Sequence, residues 1–284
     1  MTTATVARCS RLVEPLHSMI YFAPENQEHL VRTGLRAGRM CYFAGRAAPM
    51  GAVGSGVVAA SFYNFSPELV AQHIPAAWKL ASPATVVIAR FAAADAALRR
   101  LLGDEVVTSD VVREAAQLAR TASEACTPEG RPLYAGHARL EWPEEPHLVL
   151  WHAASLLREY RGDGHVQALS TAGLDGPEAL ITHVATGSGF TPAFAKTSRG
   201  WSDEQWESAL VRLRDRGLLD LNGTITDAGE NLRRQVEDET DRLDTAPWEH
   251  LGAEPSARLA EIAAELSRAI VRAGAFPSGV FARR

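Results

Sequence analysis

Apolar residues recur at helical spacing along most of the chain. Residues 5–22 and 25–36 predict two helices divided by Ala23-Pro24, with Pro24 and Glu25 in the first-turn positions that helix starts favour. Arg39 to Pro49 (RMCYFAGRAAP) predicts a buried apolar helix ending at Gly45 or a little later. The Gly- and Ala-rich stretch MGAVGSGVVAASFYNF behind it is compatible with close-packed helix or with loop. Ser66-Pro67-Glu68 opens a helix to about Trp78. Ala84 to Leu102, closed by Gly103, and Asp110 to Cys126 complete the first half.

The second half is punctuated more sharply. Pro143 to Tyr160 is apolar almost all round (Leu148, Leu150, Trp151, Leu156, Leu157), which predicts a central buried helix. Arg161-Gly162-Asp163-Gly164 predicts a break, followed by short helices over His165–Thr171 and Asp175–His183. A loop through Gly187, Gly189 and Pro192 leads to Ser202-Asp203-Glu204-Gln205, a Ser-x-x-Gln capping box. Trp206, Leu210 and Leu213 keep helical spacing behind it, and Gly217 ends that helix. LLDLNGTIT (218–226) predicts two short strands around Asn222-Gly223. A charged helix over Asp227–Leu243 and an amphipathic one from about Pro255 to Ala273 complete the chain.

Helix, tight hairpin, helix is the order of a winged helix, and here a resemblance becomes specific. ALVRLRDRGLLDLNGTITDAGENL (209–232) resembles the multiple-antibiotic-resistance-type (MarR-like) winged-helix regulators, whose helix ends near R-G-L and whose wing closes on L-T-x-x-G-x-x-L. Those positions are Arg216-Gly217-Leu218 and Ile225 to Leu232 here, with Ile in place of the first Leu. The whole chain also resembles an actinobacterial helix-turn-helix family through EPLH…YFAPE, YFAGRAAPMG, FYNFSPELV, LLREYRGDGH and RGWSDEQW. The expected fold is therefore mainly α. Residues 1–142 form a helical domain, 143–250 a winged-helix-like domain with a small β-hairpin wing, and 251–284 a C-terminal helix and tail.

Charge changes what that resemblance implies. The chain has 284 residues and a formal net charge of −5, and its bases are almost all Arg, with Lys only at 79 and 196. From Lys196 to Arg242 there are eight basic residues and eleven acids. A DNA reader needs cations facing the phosphates and donors facing base edges. Helix 203–216 carries Asp203, Glu204, Glu207 and Asp215 against Arg212, Arg214 and Arg216, all three Arg at its C-terminal end. DNA binding through those three Arg is the weaker expectation. The three cysteines are far apart, so neither a disulfide framework nor a zinc knuckle is expected. The N-terminus lacks an apolar signal-peptide run, and the uncharged run 47–67 holds Pro and Gly, so a cytoplasmic location away from membranes is expected.

Candidate chemistry gathers in three places. Glu14, His17, Ser18 and Tyr21 share one face of a helix: an acid/base set, or a helix start with Pro15 in its first turn and a satisfied core histidine. Arg161, Asp163 and His165 flank two glycines: an anion anchor with proton-transfer partners, or an N-cap (Asp163) paired to Arg161 across the turn. Tyr42, Arg46, Tyr63 and Asn64 would line an aromatic pocket, or form an aromatic core with one satisfied Asn. The Glu-x-x-His pairs Glu14…His17 and Glu144…His147 are too few for a di-iron site, so no metal and no cofactor is expected.

These features support two function classes. One is a small-molecule enzyme or binding protein on a repurposed winged-helix scaffold, of the kind found in natural-product biosynthesis. In it His17, Asp163 and His165 would serve elimination, cyclisation or hydrolysis. Glu14, Tyr21, Tyr42, Arg46, Tyr63, Asn64 and Arg161 would hold an anionic ligand in a pocket between the halves. The other is a ligand-responsive transcriptional regulator in which Arg212, Arg214 and Arg216 touch phosphates. Either would be a homodimer, or a heterodimer with a related chain.

Overall fold

Val6, Cys9, Val13 and Leu16 make one buried stripe along the helix Thr3–Ser18, which is capped by the Thr2 hydroxyl and runs through Pro15. Proline thus falls inside this helix and not in a first turn. Burial of the stripe against the C-terminal helix Ala253–Arg272 (Leu259, Ile262, Ala263, Leu266) outweighs the local penalty of the ring.

The computed structural model describes residues 1–279, and they fall into two compact units. The first comprises residues 1–53, 73–164 and 241–276; the second is built mainly of residues 54–72 and 165–240. Both are discontinuous, whereas the sequence pattern predicted consecutive domains 1–142, 143–250 and 251–284.

In the first unit the long helices Pro83–Leu102 and Asp110–Ser123 present alanines to the core (Ala93, Ala94, Ala97; Ala115, Ala119, Ala122). Small side chains let the helix axes approach closely around Trp151, Leu156 and Leu157. Those residues belong to the helix Pro146–Thr171, which gives residues 146–164 to this unit. No break occurs at 161–164. Gly164 lies inside the helix, and what packs against it accounts for the missing side chain: a Cβ there would come 2.9 Å from Arg131 Nη1 and 3.3 Å from Leu243 Cβ. The predicted helix Ser66–Trp78 is two short ones, Pro67–Ala71 and Ala76–Leu80. The Gly- and Ala-rich stretch gives a helix to the second unit, Ser55–Phe62.

In the second unit Gly176–Ala185 and Asp203–Asp215 both start with complete capping boxes, Asp175 with Glu178 and Ser202 with Gln205. Between them lies Pro192–Arg199, where the sequence predicted only loop; left-handed Gly200 ends it three residues before Asp203. Leu169, Leu174, Ile181, Leu213, Leu218 and Val236 fill the core.

The expected β-hairpin wing is absent from the described residues, which contain a single antiparallel bridge, Leu219 to Ile225. The Asp220 carboxylate accepts the Asn222 and Thr224 N–H groups at 2.8 Å and rounds off a tight turn. Thr226 then caps the next helix by accepting the Gly229 N–H, so no further rung forms. Glycine is favoured at 229, since a Cβ there would lie 2.3 Å from the Leu218 carbonyl oxygen and force a shift. This close approach accounts physically for the glycine of the Thr-x-x-Gly pattern. Among the described residues no single helix is long and apolar enough to cross a membrane.

Candidate functional site

The densest buried polar network lies in the first unit and centres on Glu159, which is fully buried. It sits on one face of the helix Pro146–Thr171 with Ser155 and Trp151, four and eight residues earlier. Arg46, from the helix Arg39–Ala47, grips the carboxylate with two prongs, Nε to Oε1 at 3.0 Å and Nη2 to Oε2 at 2.8 Å. Arg158 donates to Oε2 at 2.7 Å. Burial opposes the charged carboxylate, but Arg158 and Arg46 together hold the Glu159 pKa well below the carboxylate range.

His17 stands 4.0 Å from Glu159, and its bonds fix its tautomer. Ser155 Oγ donates its hydrogen to the Trp151 carbonyl at 2.8 Å, so it must accept from His17 Nδ1 at 2.7 Å. His17 Nε2 therefore accepts from the Tyr21 hydroxyl at 2.8 Å. Burial, followed by the charges of Arg158 and Arg90, lowers the His17 pKa well below its ordinary value, so the ring is neutral at pH 7. Burial and then Glu159 push the Tyr21 phenol up to about 12.

Arg90 completes the cluster. It projects from the alanine-rich helix Pro83–Leu102, is 3% exposed, lies over the Trp151 ring and donates to His137 Nε2 at 2.9 Å and Tyr21 Oη at 3.5 Å. His137 gives its Nδ1 hydrogen to the Leu133 carbonyl, and burial with Arg90 lowers its pKa to about 3. Desolvation lowers the Arg90 pKa, and Arg46 and Arg158 push in the same direction. Two guanidinium groups thus hold one carboxylate and a third lies nearby, beside a Tyr–His pair joined by a hydrogen bond. Such a cluster can compensate an incoming anion, and the Tyr21–His17 pair can pass a proton.

The sequence candidates divide between this cluster and other places. Glu14 accepts from Ser18 at 3.0 Å, and Tyr42 packs at 5.2 Å from Tyr21. Arg46 pairs with Glu159; it lies in the first unit, whereas Tyr63 and Asn64 lie in the second. Tyr63, at φ 51°, donates to the Leu174 carbonyl at 2.6 Å and borders a groove of about 460 Å³ with Phe65, Trp201 and Arg212. The Asn64 carbonyl accepts the Trp201 indole N–H.

Asp163 does not cap its own helix, because that helix never breaks. Its carboxylate instead accepts the Tyr134 N–H at 2.9 Å, in the first turn of the helix Pro132–Ala138. Burial pushes its pKa up to about 7. Arg161 pairs not with Asp163 but with Asp241 at 2.7 Å and Asp244 at 3.6 Å. His165 belongs to the second unit, with Nδ1 2.8 Å from Thr240 Oγ1. His147 of the second Glu-x-x-His pair bonds Asp95 at 2.6 Å, and no metal-binding group of three or more His, Cys, Asp or Glu exists among the described residues.

The three Arg of the Asp203–Asp215 helix and its C-cap are engaged within the second unit. Arg212 bonds Asp175 at 2.6 Å and Glu178 at 2.9 Å, and Arg214 bonds Glu207 at 3.0 Å. Arg216 bonds the Gly173 and Ala172 carbonyls. Asp203, Glu204 and Glu207 are exposed charges near the helix start.

Sequence reasoning missed Arg90 and His137 and left Glu159 unassigned. The available signal was an Arg inside an otherwise apolar helical run (VVIARFAAADAAL), and a Glu continuing the Trp151–Ser155 stripe. Residues 6–277 match a family described as a helix-turn-helix family. No curated protein and no solved structure matches the chain.

Proposed function

Since the chain belongs to that helix-turn-helix family over nearly its whole length, we propose that it binds an anionic small molecule on a regulator-type scaffold. The observation that carries this reading is the excess of positive charge around Glu159: buried Arg46 and Arg90 and half-buried Arg158 surround this buried carboxylate. Net positive charge in a poorly solvated setting is costly, and a ligand carboxylate or phosphate would lower that cost. Arg158 is the anchor best placed to meet a ligand, since its side chain is 26% exposed. Tyr21, Tyr42 and Trp151 suit an unsaturated or aromatic ligand body.

Calorimetric titration with benzoate and inorganic phosphate at matched ionic strength tests the proposal. Binding by the wild type should weaken about tenfold or more in Arg158→Met, the loss of one charge-assisted hydrogen bond. Absence of any binding beyond that of chloride would refute it.

Binding leads to one of two outcomes. The hydrogen-bonded Tyr21–His17 pair favours acid/base chemistry on the ligand, an elimination, cyclisation or hydrolysis. The family description favours a ligand-responsive regulator, to which the MarR-like likeness of 209–232 also belongs. Engagement of Arg212, Arg214 and Arg216 in internal bonds, beside exposed Asp203 and Glu207, weighs against DNA contact through that helix. Salt-resistant retention of duplex DNA that is lost in the triple Arg→Met variant would establish the regulator instead.

A further inference from the structure

A second polar cluster lies within the second unit, around Arg233 of the helix Asp227–Leu243. Arg233 is 5% exposed, and its side chain lines a small pocket of about 130 Å³ together with Asn64, His165, His183, Leu169 and Leu180. Its Nη2 is committed to Glu237 at 2.7 Å, but Nη1 is buried and has no hydrogen-bond partner among the described residues. A buried guanidinium edge left unmet is costly, and native structures almost always satisfy such groups.

The surrounding donors fit one kind of occupant. Thr240 Oγ1 donates to the Val236 carbonyl at 2.6 Å, so His165 Nδ1 is the donor in its 2.8 Å contact with Thr240. The ring itself forms part of the pocket wall. His183 sits under Gly189, where a Cβ would come within 2.5 Å of its Nε2, so a glycine is what lets the loop close over the ring. Burial and then the Arg233 charge lower the His183 pKa, and Glu237 opposes them only in part, so the ring faces net positive charge. At ~30 Å³ per water, the volume holds about four waters or one small oxyanion, and no drug-sized molecule.

We propose that this pocket is a binding site for a small oxyanion, a phosphate, sulfate or carboxylate group, held by Arg233 Nη1 with His183, His165 and Asn64 around it. It is separate from the Glu159 cluster and does not depend on the function proposed for it.

The test uses the full-length protein with ¹⁵N-labelled histidine rings, titrated with inorganic phosphate. Assignments come from His183→Gln and His165→Gln. The His183 and His165 ring signals should move together and saturate at millimolar phosphate in the wild type, and stay still in Arg233→Met. Signals that do not move, or that move equally in Arg233→Met, overturn the proposal. Should Arg233→Met fail to fold, Arg233→Lys decides. It keeps the charge but not the fork, so it should need several-fold more phosphate, and unchanged binding refutes the assignment. Phenyl phosphate separates the sources of the same chemistry. Binding of inorganic phosphate alone identifies a free ion, and equal binding of both identifies a phosphoryl group carried on a larger molecule.

Discussion

Replacing Glu159 by Gln keeps the shape of the side chain and removes its charge from the centre of the arginine cluster. The carboxylate accepts three charge-assisted bonds, two from Arg46 at 3.0 and 2.8 Å and one from Arg158 at 2.7 Å. Breaking a buried ion pair by removing one partner costs about 3–5 kcal/mol, because the other charge is left uncompensated. Coulomb's law agrees, at about 4 kcal/mol for unit charges ~4 Å apart in an effective dielectric of ~20. That is a large share of a typical total stability of about 5–15 kcal/mol. At roughly 2–4 °C per kcal/mol, the melting temperature should fall by about 6–20 °C. The pH dependence gives an independent check. The folded pKa of Glu159 lies below its unfolded value of about 4.3, so its stabilisation is complete above that pH and is lost as pH falls toward the folded value. The gap between wild type and Glu159→Gln, measured by urea denaturation, should therefore be widest near neutrality and close in acid. Acetate should recover part of the loss in the variant by supplying the missing anion. A loss below about 1 kcal/mol at pH 7, or a gap that widens on acidification, would refute this account of the cluster.

Three further outcomes are expected. The Asp163 pKa of about 7 lies above its unfolded value, so this group stabilises most fully at low pH and loses that contribution as pH rises from about 4 through 7. Asp163→Asn keeps an acceptor for the Tyr134 N–H, so its urea-derived stability should fall less steeply over that range than the wild type's. An unchanged slope would place the titration elsewhere. Tyr21→Phe removes the donor to His17 Nε2 and should cost about 1–3 kcal/mol by the same assay; a neutral result would show that water replaces the hydroxyl. Gly229→Ala should destabilise by about 1–3 kcal/mol or more, since the new Cβ would meet the Leu218 carbonyl. Gly56→Ala, on a helix where nothing lies within 4 Å, should be neutral or stabilising, and equal effects at the two positions would contradict the packing argument.

Much of the local architecture is legible in the sequence because local chemistry enforces it. Ser202 with Gln205 starts a helix as its capping box predicts, and His17 bonds Tyr21 as their spacing requires. Legibility fails where distant segments decide. Gly162 and Gly164 read as a turn, but the helix runs on through both, and Gly164 serves the close approach of Arg131 and Leu243 instead. Asn222-Gly223 reads as a hairpin, and the turn is there, but Thr226 begins a helix before a second rung can form.

The candidate site divides the same way. His17, Tyr21 and Arg46 can be picked out one by one from residue type and spacing. Their common partner cannot, because Glu159 lies 113 residues from Arg46 along the chain. Sequence alone determined the helical class, the capped helix start at Ser202 and the acidic cast of the 196–242 segment, all of which rest on neighbours within a few turns, and it carried the helix-turn-helix family likeness. Tertiary structure alone decided which arginines are buried together, which carboxylate they share and which of them are already committed. Burial is what turns a solvated charge into a costly one, and no local pattern records it.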